Sequence, residues 1–228
     1  MRSMVRRTCL VAAVAAGALV LGALRGAAAA SDPPTYKPPP RGAPTGRVGL
    51  GSRSIHPPPQ IWALAPDHTG LTTREQPRLY WYVAKPAAVR IEITAVRNQG
   101  MKVILDESVA SPAAAGVQRL DLARYGIRLE PGIEYRWNVS FVGDPKQRSN
   151  SAAIERIAAS AALAKRVAAA PKAEHAAVYA GEGIWYDALA SLGELIEQSP
   201  NDAALRMQRA ALLQQVGLKE AAAGDAKR

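Results

Sequence analysis

Cysteine is almost missing from this chain: Cys9 is the single one in 228 residues. It lies inside an apolar leader, too early to be a lipidation point. The processed chain is therefore expected to hold no disulfide, thiol nucleophile or thiolate metal site. Histidine is scarce as well, at His56, His68 and His175. With no His-x-x-x-His pair and no carboxylate-rich loop, no metal ligands and no cofactor are expected. A second long apolar run is also lacking, so no integral span is expected after the leader. Acidic residues are the minority sign, 19 against 29 basic ones. The excess is dispersed, whereas nucleic-acid binding needs a focused basic stripe with stacking aromatics. No nucleic-acid partner is expected.

What is present begins with the leader. "MRSMVRR" is basic, "TCLVAAVAAGALVLGAL" is uncharged and apolar, and "RGAAAA" ends in small residues. That order reads as a secretory signal peptide over residues 1–30. The alternative is a retained anchor. The apolar run is short for a span, and Ala28 and Ala30 have the spacing of a cleavage site. Cleavage removes Arg2, Arg6, Arg7 and Arg25, leaving 25 basic against 19 acidic residues, a net of +6. About 198 residues remain, enough for one or two small domains standing on packing alone. The expected location is periplasmic or secreted.

Residues 31–60 are dense in Pro and Gly and read as an extended arm. Lys37, Arg41, Arg47 and Arg53 face only Asp32 as countercharge. Attachment to an anionic envelope polymer or lipid surface is one reading; a solvated tether, or an arm lying along the domain, is preferred because four dispersed charges are little to bind with.

Residues 61–159 carry strand signals. "VRIEITAV" alternates, with Val89, Ile91 and Ile93 on one face and Arg90, Glu92 and Thr94 on the other. In "IEYRWNVSFV", Tyr135, Trp137, Val139 and Phe141 share a side. With "IWALAP", "LYWYV", "VILDESV", "VQRLDL" and "AAIERIA", about seven short strands predict an immunoglobulin-like antiparallel β-sandwich. "LEPGIEYRWNV" resembles the fibronectin type III pattern in which a tyrosine hydroxyl bonds back to the preceding backbone. The resemblance makes Tyr135 that residue and Trp137 the core aromatic.

Residues 160–220 turn Ala-rich and helical. Ser160 suits an N-cap, and Pro200 followed by Asn201 or Asp202 stops one helix and starts another. In "WYDALASLGELIEQS", Ala188, Leu192, Leu195 and Ser199 form a stripe, and Asp187, Glu194 and Glu197 are expected to project elsewhere. Gly183 and Gly217 stand 34 residues apart, the tetratricopeptide period. "AVYAGEGIWYDALASLGELIEQSPND" resembles that repeat, with about one and a half units visible. The register lines a groove with Ala170, Ala173, Ala177, Ala180, Ala204, Met207, Ala211 and Gln214. It suits a partner or part of the same chain equally. Residues 221–228 read as a flexible tail. The fold class expected is α+β by segregated modules, a β-sandwich followed by a small tetratricopeptide-like helical module.

One stretch, "WALAPDHTGLTTREQPRLYWYV", sets Asp67 beside His68 with Glu75 close behind. A catalytic Asp–His pair needs a nucleophile or metal from elsewhere in the fold. Turn chemistry accounts for Asp67, Thr69 and Gly70 more simply, so "DHTGLTTREQ" is expected to link two strands. No catalytic, cofactor or metal residue is assigned.

Four segments, "YKPPPRGAPTGRVG", "ALAPDHTGLTTREQPRLYWYV", "GIRLEPGIEYRWNVSFV" and "GIWYDALASLGELIEQSPNDAALRMQRAALLQQVGL", together resemble a bacterial family described as domain of unknown function 928. That resemblance implies an exported protein and carries no activity. The function expected is a non-enzymatic interaction or scaffold protein of the cell envelope, with an unidentified envelope protein as partner. Two alternatives stand beside it. One is an envelope hydrolase using Asp67, His68 and Glu75. The other is a carbohydrate- or peptidoglycan-binding module stacking sugars on Trp62, Tyr80 or Tyr82.

Overall fold

A computed structural model describes residues 32–40, 61–97, 100–149 and 151–227. The expected signal segment, and residues 41–60 of the arm, lie outside them. Strands occupy the first part and helices the second, an α+β layout in two modules. The first sheet sets β1 (Ile61–Ala63) and β6 (Gly116–Asp121) on either side of β3 (Arg78–Val83), all antiparallel. The second runs β2 (Gly70–Thr72), β9 (Ala152–Arg156), β7 (Glu134–Phe141), β4 (Ala87–Arg97) and β5 (Gly100–Ala113), with β8 (Asp144–Arg148) paired to β7.

The period-two runs behave as their alternation requires. Val89, Ile91 and Ile93 are fully buried, and Tyr135, Trp137 and Val139 meet them from β7. Phe141, at the end of that run, is only half-buried. The Glu130 N–H donates to the Tyr135 hydroxyl at 3.0 Å, fixing the entry to β7. Two strands are additions to the sequence reading. The expected link "DHTGLTTREQ" contains β2, which pairs parallel with β9. The segment "GDPKQRSNS" contains β8. Both are too short to show a period; β2 is paired by a distant strand, and β8 folds back on its neighbour β7.

Five helices follow: α1 (Ala161–Ala169), α2 (His175–Gly181), α3 (Trp185–Gln198), α4 (Ala203–Gln215) and α5 (Lys219–Ala226). Ser160 caps α1 through the Leu163 N–H, and Asp202 caps α4 through the Ala204 N–H. The expected flexible tail is corrected by α5, which carries Ala221 and Ala222 fully buried. A bidentate pair between Arg209 and Asp225, both bonds 2.7 Å, ties α5 to α4. A buried ion pair with this geometry satisfies both charged groups at once, which a solvated tail could not do.

The two modules share one core, and α3 is its centre. Residues 185–193 are buried on every side of that helix. Tyr80 and Tyr82 of β3 seat against α3 and α5 where glycine leaves room: a Cβ on Gly193 would lie 2.8 Å from the Tyr80 Cζ, and one on Gly224 would lie 2.8 Å from the Tyr82 Cε2. The Trp137 indole donates to the Tyr186 hydroxyl at 2.9 Å, and that hydroxyl donates to the Ala153 carbonyl at 3.0 Å. Asp187 was expected to project away from the apolar stripe of α3. Instead it is fully buried and accepts from the Thr72 hydroxyl at 2.5 Å, the Thr73 N–H at 3.0 Å and the Thr73 hydroxyl. Three donors from the β2–β3 link make that burial tolerable for a carboxylate.

Candidate functional site

The Asp67–His68 tip lies at a junction of arm, loop and helices. The chain leaves β1 through Leu64, whose carbonyl accepts the Trp185 indole N–H at 2.9 Å. That bond holds the start of α3 against the loop. The arm then brings Tyr36 onto both: its ring stands edge-on to Trp185 with centroids 5.1 Å apart, and near-parallel to His68 at 5.9 Å.

A short hydrogen-bonded relay crosses this junction. The Tyr36 hydroxyl lies 2.8 Å from His68 Nε2, and His68 Nδ1 lies 3.2 Å from Asp67 Oδ1. A proton on Nδ1 facing Asp67 leaves Nε2 to accept from the phenol. Burial, and then the nearby Asp67 charge, push the Tyr36 phenol far above its ordinary value. A phenol held protonated is a hydrogen-bond donor and a poor nucleophile. The relay has the shape of a triad, but its terminal group is suited to holding the arm in place.

Main-chain contacts complete the seat. Gln215, at the end of α4, accepts the Tyr36 N–H at 2.8 Å and donates to the Pro34 carbonyl at 2.8 Å. The Lys37 N–H donates to the Ala180 carbonyl at the end of α2, at 3.0 Å. Gly183 has φ +74°, and a Cβ there would come within 2.7 Å of the Lys37 carbonyl oxygen. Glycine thus serves both the turn and the close approach.

The residues of the two alternatives disperse. Glu75 pairs instead with Arg128 at 2.5 Å and Arg156 at 3.5 Å. Thr69 donates to Glu134 at 2.7 Å, which explains its place in the loop without chemistry. Tyr80 and Tyr82 are buried, and Trp62, half-buried, tilts against Tyr82 with centroids 5.7 Å apart. Of the expected groove residues, Ala180 meets the arm and Met207 stays exposed at 57%. Among the described residues, no group of three His, Cys, Asp or Glu is poised for a metal, and no helix is long and apolar enough to cross a membrane.

Sequence reasoning missed Tyr36, Trp185 and Gln215 as one cluster. The available signal was Tyr36 itself, the single Tyr, Trp or Phe in an otherwise Pro- and Gly-rich arm.

Fold and site define a two-sheet β body braced by a helical cap, with its amino-terminal arm laid across the joint. The chain belongs to the family described as Domain of Unknown Function (DUF928), whose model matches residues 45–225. The match holds His68, Ala180, Gly183, Trp185 and Gln215, and begins after Tyr36. No curated protein matches the chain.

Proposed function

We propose that this is an exported, non-enzymatic interaction or scaffold protein of the bacterial cell envelope, periplasmic or secreted after signal cleavage. The observation that carries this reading is the fate of Asp67 and His68. They hold the Tyr36 phenol of the chain's own arm, and Glu75 is engaged elsewhere. A hydrolase built on those three carboxylate and imidazole groups has no common centre. The sugar-binding alternative keeps only Trp62 partly open, since Tyr80 and Tyr82 are core residues.

The module types give the reading further support. We read the sheets as fibronectin type III-like, on the orders β1-β3-β6 and β7-β4-β5 and on the Tyr135 bond. We read the helices as tetratricopeptide-like, on the period of 34 residues and on Gly183 and Gly217, whose φ values are +74° and +76°. Both architectures commonly present surfaces to other proteins.

Affinity purification of the processed protein from envelope extract tests the proposal. A reproducibly enriched partner is the expected result. No enrichment, under conditions that recover known envelope complexes, would count against it, as would turnover of an envelope substrate abolished by Asp67→Asn or His68→Ala.

A further inference from the structure

We propose that β5 is an assembly edge, on which a second copy of the chain lays its own β5 antiparallel. The product is a two-fold dimer with one continuous sheet, separate from the envelope partner proposed above.

β5 ends the second sheet: it pairs with β4, and no other strand lies beyond it among the described residues. It is 14 residues long, whereas the other strands at sheet ends, β1, β2 and β6, have 3, 3 and 6. Only β5 is long enough to carry an extended ladder. A strand at a sheet end offers a row of unpaired N–H and C=O groups to another chain. The first part of β5 is also apolar. Met101 is 71% exposed and Val103 53%, while Ile104 and Leu105 are half-buried at the rim of the core.

The occupant follows from the charges and from one irregularity. Pairing with β4 slips by a residue: Ile93 faces Leu105 and Thr94 faces Val103, so Ile104 bulges out of the ladder. Met101, Val103, Asp106 and Ser108 thereby share the side of Thr94 and Arg90, while Lys102, Leu105 and Glu107 share the side of Ile91. In an unbroken strand, residues five apart point to opposite faces and cannot oppose each other across an antiparallel pair. The bulge puts Lys102 and Glu107 on one face. Two copies can then pair about a two-fold axis, with Lys102 of each opposite Glu107 of the other. The same register sets Met101 opposite Ser108 and Val103 opposite Asp106, again on common faces, with Ile104 and Leu105 meeting at the axis.

Asp106 is already paired with Arg90, but Lys102 and Glu107 hold no ion pair among the described residues. A lysine and a bulge usually guard an edge against a stray strand. Here they select one. A strand lacking a carboxylate at the matching position leaves the lysine uncompensated, whereas a second β5 supplies the countercharge twice, once on each side of the axis.

Sedimentation equilibrium of the purified protein at about 1 to 100 µM tests this, with circular dichroism as the check on folding. A monomer–dimer equilibrium within that range is expected. Lys102→Glu or Glu107→Lys alone turns both cross-strand pairs repulsive and should weaken dimerisation about tenfold. Combining Lys102→Glu with Glu107→Lys restores both pairs and should restore the dimer. Val103→Asp, on the other face, sets a carboxylate opposite Asp106 of the second copy and should also weaken the dimer, so it serves if a charge reversal fails to fold. A protein that stays monomeric throughout the range overturns the proposal. So does a dimer indifferent to the single substitutions, or one that the combined reversal fails to restore, because another surface then holds it.

Discussion

Replacing Asp187 should loosen the joint between the two modules, and the size of the loss follows from its partners. Its carboxylate takes three hydrogen bonds from Thr72 and Thr73, across 114 and 115 residues of sequence. Hydrogen bonds to a charged acceptor are worth about 1.5–3 kcal/mol each, and a buried donor left unpaired costs about 1–3 kcal/mol. Thr72 is fully buried, so water cannot replace its partner, while Thr73 is half-buried and regains part of the loss from solvent. Asp187→Ala is therefore expected to cost about 3–5 kcal/mol, the range for breaking a buried charged network. Asp187→Asn keeps one accepting oxygen but turns an amide NH2 toward a donor. It should cost about 2 kcal/mol, roughly one charge-assisted bond. Urea unfolding followed by circular dichroism measures both, with tryptophan fluorescence reporting Trp185 two positions away. The expected order is wild type, then asparagine, then alanine, with an unchanged slope. Losses below about 0.5 kcal/mol for both variants would refute the reasoning, since that is the scatter of substitutions away from any special feature.

Gly193→Ala places a methyl against the Tyr80 ring and should destabilise by about 1–3 kcal/mol despite alanine's higher helix propensity. Gly181→Ala, where no atom lies within 4 Å of the added Cβ, is the matched control and should be neutral or stabilising in the same thermal melt. Asp225→Ala should cost about 3–5 kcal/mol by stranding Arg209, and a silent substitution would return the last residues to a solvated tail. The phenols of Tyr36, Tyr80, Tyr179 and Tyr186 are all raised, chiefly by burial. Their protonated forms favour the folded state, so that stability is complete below the unfolded value near pH 10 and falls as pH rises past it. An alkaline titration should show the phenolate absorbance of these four appearing together with loss of the far-ultraviolet signal; their ionisation while that signal is intact would contradict it.

Where one face of a strand is buried, the text already carries the answer. "VRIEITAV" and "EYRWNVSF" alternate because Ile91 and Trp137 face a common core while Arg90 and Arg136 face solvent, so β4 and β7 were legible. The capping residues Ser160 and Asp202 were legible for a similar reason, since their partners lie two or three residues away. What was not legible depends on distant partners. Asp187 on an amphipathic helix reads as lying off the apolar stripe until Thr72 is brought to it. β2 is three residues long and shows no period at all. The "KEAAAGDA" of α5 mixes Gly224 with small and charged residues, and its helix is sustained by burial against β3 and by Arg209. In the candidate site, the Asp67–His68 adjacency was visible, but its meaning was not. Tyr36 lies 32 residues from His68 and 179 from Gln215, and nothing local announces either contact.

The central claim is that Asp67 and His68 hold the arm on the helical cap. Amide hydrogen exchange at Tyr36 and Lys37 tests it most directly, because their N–H groups donate to Gln215 and Ala180. Both amides should exchange slowly in the unaltered chain and distinctly faster in His68→Ala, while the amides of β4 stay protected. Fast exchange at Tyr36 and Lys37 in the unaltered chain, or exchange there that ignores His68→Ala, would contradict the account.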